Sequence, residues 1–343
     1  MVIKEPLRRL ASRIVVGSGA SRLGRRLRRD QGCVILYGHR VSDNDKGYMQ
    51  GLRPQWLDEQ LSYLTRHYEI ISLDELLHCY ERNQPVPARS VVLTFDDGFR
   101  DNLDNAFPVL HKHGVPATVF VVTGSLSNGD LPWSQRLGYL FQHSDRSEIM
   151  HPLTGPEPRP LTSDQQRRAA WQACKPALSA MVWQQRDEMI AALAKLLDVE
   201  PPQDRMLTWP QARQLMSAGI QIGAHTWSHA LLARIAPADA SWEMRKSRED
   251  LREHLGIERP PFCFPAGSTN AQLQAHAAEL GFRSAFLPGR PVRVNTLGNA
   301  DPFSLARVGL PDAPAWQLEA ELDGPFHGVR KLLGRLPADP RPT

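Results

Sequence analysis

Between residues 33 and 310, short apolar runs alternate with stretches whose apolar positions repeat at helical spacing. Cys33-Val34-Ile35-Leu36-Tyr37 is continuously apolar, as expected of a strand covered on both faces in a parallel sheet. After Pro54, Leu57, Leu61 and Leu64 mark one face of a helix over residues 56–67. Ser72 with Glu75 three positions on predicts a capping box opening a helix that runs to about Arg82. Further strands are predicted at 68–71, 90–95, 117–122, 221–224, 262–264, 284–287 and 304–310. Helices fit 102–112, closed by Gly114, 209–217, stopped by Gly219, then 237–255 and 271–280. Such alternation is the signature of an α/β architecture, and seven or eight strands suit a (β/α)-type barrel better than an open three-layer sheet.

Residues 127–206 break this rhythm. They are polar, with Pro152, Pro156, Pro158 and Pro160 clustered in the middle and helical stretches near 163–180 and 183–197. They read as a helical insertion, a subdomain or lid between two core strands. The remaining division is an N-terminal arm at 1–30, a core at 31–312, and a C-terminal helix and tail at 313–343.

At 343 residues, 41% hydrophobic and 23% charged, the composition excludes disorder, collagen-like repeats and a disulfide miniprotein. The net charge of +4 is too mild to suggest a nucleic-acid binder. It hides an asymmetry, because residues 1–29 hold nine basic side chains against Glu5 alone and carry +8. The rest of the chain is therefore slightly acidic, at −4. Leu7, Leu10, Ile14, Leu23 and Leu27 among these arginines predict amphipathic helices, and this separable arm is expected either to meet an anionic membrane surface or to be a solvated, partly disordered tail. Arg13 and the Gly17-Ser18-Gly19 break leave no signal-peptide core of about 7–15 apolar residues. Cys33, Cys79, Cys174 and Cys263 are scattered, which together with that break suggests a cytoplasmic protein at the inner membrane face.

Two motifs carry the chemistry. Thr94-Phe95-Asp96-Asp97-Gly98 ends an apolar run, and the carboxyl edge of a strand is where barrel enzymes place reactive groups. Asp-Asp-Gly is also an ordinary turn sequence. His225-Thr226-Trp227-Ser228-His229 follows the next predicted strand, and two histidines four apart on a helical turn share a face. One carboxylate and two imidazoles make a three-ligand metal site with open positions, and the neighbouring carboxylate is then available as a base. That set belongs to a metal-dependent hydrolase of an amide or ester.

Both motifs resemble the first two motifs of the NodB-homology polysaccharide deacetylases, the family-four carbohydrate esterases, and the likeness extends over most of residues 33–310. The resemblance implies a distorted (β/α)7-type barrel with a helical insertion. It implies Asp96 as general base, and Asp97, His225 and His229 as ligands of a divalent metal, most often zinc. The third family motif departs from its pattern. In Phe262-Cys263-Phe264-Pro265-Ala266-Gly267, Cys263 stands where the family has Arg and Ala266 where it has an aromatic residue. The N–H of Ala266 remains a candidate oxyanion donor, since a backbone donor needs no particular side chain. Arg307 is the candidate replacement for the missing guanidinium. Val34 to Val41, including His39, resembles the early strand of the permuted exopolysaccharide-deacetylase branch, which makes His39 the candidate general acid.

The implied activity is removal of an N-acetyl group from an amino sugar in a glycan or a lipid- or nucleotide-linked precursor. A metal-independent glycosidase is the first alternative, poorly served by adjacent carboxylates. A non-catalytic glycan-binding relative is the second, favoured by the altered third motif.

Overall fold

The computed structural model describes residues 5–27, 32–43, 51–287, 294–296 and 301–325. Its strands are β1 (Cys33–Gly38), β2 (Glu69–Ile70), β3 (Ser90–Phe95), β4 (Thr118–Val121), β5 (Glu148–Ile149), β6 (Arg159–Pro160), β7 (Gln221–Ala224), β8 (Phe262–Cys263), β9 (Ala285–Leu287) and β10 (Leu305–Gly309). Its helices are α1 (Glu5–Gly17), α2 (Ala20–Leu27), α3 (Pro54–His67), α4 (Leu73–Glu81), α5 (Phe107–His113), α6 (Thr123–Asn128), α7 (Trp133–His143), α8 (Asp164–Leu178), α9 (Trp183–Leu197), α10 (Trp209–Ser217), α11 (Pro237–Leu255), α12 (Ala271–Glu279) and α13 (Ala315–Asp323).

Seven parallel strands close on themselves in the order β1-β10-β9-β8-β7-β4-β3, with β3 paired back to β1. The short β2 adds to the lower part of the β3 edge that β4 uses higher up. This is the expected (β/α)7-type barrel. Side chains alternate along its strands. Cys33, Ile35, Val92, Phe120, Cys263, Phe286 and Leu305 share one core cluster, whereas Val34, Leu36, Leu93 and Phe95 join the larger cluster with the surrounding helices. The inner set leaves the upper barrel to Thr94, Asp96 and Arg307, all buried polar residues.

The insertion has its own core, in which Leu137, Phe141, Trp171, Leu178, Ile190 and Leu193 join α7, α8 and α9, with the antiparallel pair β5–β6 beside them. It is joined to the barrel at the site: Trp133 is 3% exposed and donates its indole N–H to the His229 carbonyl at 2.9 Å.

The N-terminal segment is helical, as expected, but it is not a loose arm. Ser21 donates to Glu319 at 2.7 Å, and Arg25 donates to Asp323 at 3.1 Å and to the Tyr63 hydroxyl at 2.8 Å. Gly24 is essential to this contact, because a Cβ there would lie 2.2 Å from the Asp323 carbonyl oxygen. The expected basic residues Lys4, Arg28 and Arg29, the side chains of Leu7, Arg8 and Leu27, and the tail beyond residue 325 lie outside what the structure describes. Among the described residues, no helix is long and apolar enough to cross a membrane.

Candidate active site

The site is built at the carboxyl ends of β1, β3, β7, β8 and β10. On β3, Thr94 and Asp96 point into the barrel with the period of a strand. Asp97 would then point outward, but its φ of 75° turns the chain and brings its carboxylate to the rim. Gly98 continues the turn at φ 79°, and a Cβ there would meet Val121 at 2.9 Å. Four of the seven described non-glycine residues with positive φ belong to this site: Asp97, Thr226, His229 and Ala266. Backbone held in that region costs about 1–3 kcal/mol per residue and persists only where its surroundings enforce it.

The histidine pair departs from expectation in one respect. His225 and His229 lie on a tight loop after β7, not on a helical turn, because Thr226 and His229 adopt φ of 63° and 59°. The loop is held by Glu243 of α11, whose carboxylate accepts from the N–H groups of Trp227 at 3.0 Å and Ser228 at 2.8 Å and from the Ser228 hydroxyl. Arg186 of α9, fully buried, donates to the Ser228 carbonyl at 3.2 Å from the other side. Burial pushes the Glu243 carboxyl up and the Arg186 guanidinium down, and the opposite charges of the two partly offset that.

Asp97, His225 and His229 converge as expected. The Asp97 Oδ1 lies 3.5 Å from His225 Nε2 and 3.3 Å from His229 Nε2. Ligand atoms about 2.0–2.2 Å from one tetrahedral ion stand about 3.3–3.6 Å apart, so the spacing suits a shared cation. Asp97 Oδ1 is buried with no hydrogen-bond partner, while Oδ2 accepts from Gln135 Nε2 at 3.1 Å. His225 Nδ1 is 2.7 Å from the Cys263 carbonyl. A carbonyl only accepts, so Nδ1 carries the proton and Nε2 offers its lone pair. Burial lowers the His225 pKa to about 4, against the pull of Asp96, so the ring is neutral and able to ligate at neutral pH. Burial works to raise the Asp97 carboxyl, and the histidines outweigh it and hold it below the carboxylate range.

A second trio, Asp96, His225 and Cys263, also clusters. It is the poorer cage. Both Asp96 oxygens are engaged by Arg307, at 2.8 and 2.6 Å, and burial pushes the Cys263 thiol well up. Arg307 itself is fully buried, donates to Thr94 Oγ1 at 3.0 Å and lies 2.8 Å from Cys263 Sγ. Burial would raise the Asp96 carboxyl; the Arg307 charge and hydrogen bonds overcome it and keep the group ionised. The small Cys263 leaves the space into which the guanidinium reaches from β10.

His39 follows Gly38, which is paired with Phe95, so it stands next to Asp96 at the rim. It is half-buried, edge-on to Tyr37 with centroids 5.7 Å apart. Asn102 holds its carbonyl at 2.8 Å, and the buried Arg40–Asp101 pair at 2.8 Å anchors the next residue. Ala266 is exposed in the turn after β8, with φ 50°. Asn270 caps α12 through Leu273 N–H at 2.9 Å.

Sequence reasoning missed Gln135, Arg186, Glu243 and the anchoring role of Trp133. No motif marks them: each is an ordinary residue of a helix that only the fold carries to the site.

Known proteins resemble this chain in sequence and in fold. A sequence model described as polysaccharide deacetylase matches residues 83–285. The poly-beta-1,6-N-acetyl-D-glucosamine N-deacetylase of Escherichia coli (strain K12) is 33% identical over 97 residues, 27% of this chain and 14% of the relative. The putative polysaccharide deacetylase YxkH of Bacillus subtilis (strain 168) is 29% identical over 100 residues, 29% of this chain and 36% of the relative. The match thus spans only a minor part of these curated relatives. In three dimensions, the structure of IcaB from Ammonifex degensii superposes with a TM-score of 0.56 at 19% identity, covering 85% of this chain and 97% of that one. The Streptococcus pyogenes deacetylase PplD in complex with acetate gives 0.55 at 18% identity over the same shares. At such identities the likeness is one of fold.

Proposed function

Since this chain belongs to the polysaccharide deacetylase family, we propose that it is a metal-dependent hydrolase that removes the acetyl group from the nitrogen of an amino sugar. The observation that carries the reading is the unpartnered, buried Asp97 Oδ1 between two imidazole nitrogens, one residue from a carboxylate clamped by arginine. Asp97, His225 and His229 would hold the metal, most suitably zinc for two neutral imidazoles and one carboxylate. A divalent cation there supplies Lewis acidity to the acetamide carbonyl.

The chain's own residues supply the rest. Asp96, kept ionised by Arg307, takes a proton from the water that attacks the acetyl carbon. His39, just past the end of the neighbouring strand, gives a proton to the sugar nitrogen as the C–N bond breaks, so that an amine and acetate leave. The N–H of Ala266, an exposed residue in the turn after β8, would donate to the developing oxyanion.

For the substrate we favour an N-acetylated sugar in a lipid- or nucleotide-linked precursor, handled in the cytoplasm. In support, all four cysteines are free thiols and three of them are buried, which suits a reducing compartment. Acetate release should be measured over a panel of nucleotide-linked, lipid-linked and polymeric N-acetylglucosamine, with metal content read in the same samples. Acetate from the precursors and not the polymer supports the full reading. Acetate from the polymer alone keeps the deacetylase and overturns the precursor. Binding without acetate from any of them would identify a non-catalytic glycan binder.

A further inference from the structure

We propose that α1 and α2 form a fixed docking face for an anionic phospholipid bilayer, with Leu10, Ile14 and Leu23 entering the headgroup region and the arginines around them meeting lipid phosphates. The inference stands apart from the catalytic reading. Leu10, Ile14 and Leu23 are 56%, 62% and 58% exposed, and they are three of the five large apolar side chains so exposed among the described residues. Single exposed leucines are unremarkable on any surface. Here three gather on one helix pair, interleaved with Arg9, Arg13, Arg22 and Arg26, all exposed.

The side facing the body has the opposite character. Ser12 and Ser21 are fully buried, and Gly24 is pressed on the Asp323 carbonyl. An ordinary surface helix buries its large apolar side chains and shows its polar ones. Val15 does turn inward, toward Gly324, but Leu10, Ile14 and Leu23 face out while Ser12 and Ser21 are buried, so packing within the chain does not account for where those three point.

The chemistry selects the occupant. Arginines beside leucine and isoleucine on one face are the pattern of a helix lying in a bilayer interface, where each cation gains from anionic lipid and each apolar side chain from the acyl boundary. A nucleic acid would use the arginines and leave the apolar groups without a partner. A second copy docked by a two-fold axis would set these arginines against their own copies. Two acidic groups of α13, Glu319 and Asp323, are engaged by Ser21 and Arg25 and help lock the pair to α13. Because the pair is locked, the bilayer meets a face already formed by the folded body.

The test is co-sedimentation of the full chain with vesicles of phosphatidylglycerol and phosphatidylcholine, against phosphatidylcholine alone. Binding is expected only to the anionic vesicles and weakens in high salt. The variant Leu10→Ser/Ile14→Ser/Leu23→Ser, altered only at exposed positions, should lose at least tenfold in partitioning with its melting temperature unchanged. Arg22→Gln/Arg26→Gln should also bind more weakly and show a shallower salt dependence. Equal partitioning of the wild type and the triple serine variant would overturn the proposal. So would failure to bind anionic vesicles, displacement by duplex DNA that is as effective for the serine variant as for the wild type, or a dimer that the serine substitutions abolish.

Discussion

Arg307 forks onto Asp96, each terminal nitrogen meeting one carboxylate oxygen, at 2.8 and 2.6 Å, across 211 positions of sequence. The pair sits inside the barrel, where the guanidinium also lies 4.8 Å above the Tyr37 ring. Arg307 thus brings a cation to Asp96 from β10, beside the uncharged Cys263 of β8.

Removing that cation should therefore be costly in two ways. Arg307→Met leaves a buried carboxylate unpaired, and stability near neutral pH should fall by about 3–5 kcal/mol in chemical denaturation. The sign follows from the depressed Asp96 pKa. In the wild type its contribution is present above the ordinary carboxylate pKa and is lost as pH falls through the lower folded value. In the variant, burial raises the pKa against only the smaller pull of His225 and His39, so the acid limb of the pH–rate profile should move upward. An unmoved limb would mean that Asp96 is not the base. Cys263→Arg in the Arg307→Met background should recover part of the lost rate.

Gln135 should act through the metal ligand it orients. Gln135→Leu frees Asp97 Oδ2 and should weaken metal affinity about 10–100-fold in a competitive chelator titration. Its helix content by circular dichroism should match the wild type. Unchanged affinity would show that the barrel alone positions Asp97.

His39 should matter in proportion to the leaving group. His39→Gln should lower N-deacetylation about 10²–10⁴-fold with metal content unchanged. An aryl acetate, whose phenolate departs without a proton, should be hydrolysed nearly as fast as by the wild type. If both substrates are slowed alike, His39 does not serve as the acid.

Glu243 should hold the histidine loop. Glu243→Leu removes the acceptor for two main-chain N–H groups and a hydroxyl, and should cost about 1–3 kcal/mol and weaken metal binding together. Loss of stability with full metal affinity would separate the loop's conformation from its anchor.

The strands and their closure into a barrel were legible because continuous apolar runs and helical spacing are strong local signals. So were Asp96, Asp97, His225 and His229, which sit where those runs stop. The loop that carries His225 and His229 was not, because its left-handed turns are imposed by Glu243 and Arg186 from distant helices. Arg307 was legible only as an arginine inside an apolar strand; its target depends on strand order. The insertion reads as polar and separate, yet Trp133 and Gln135 tie it to His229 and Asp97. At the arm, apolar periodicity gives a helix but not which of its residues face the body, where the close approach of Gly24 to Asp323 fixes the seating of α2.

The central claim is that Asp97, His225 and His229 hold the metal that deacetylation requires. The most direct measurement strips the protein with a chelator, restores zinc in steps, and records bound metal and acetate release together for the wild type and Asp97→Ala. The account expects wild-type activity to rise in proportion to metal and to plateau at one ion per chain, with neither tight binding nor activity in the variant. Full acetate release by the stripped protein, or one tightly bound ion and full activity in Asp97→Ala, would contradict it.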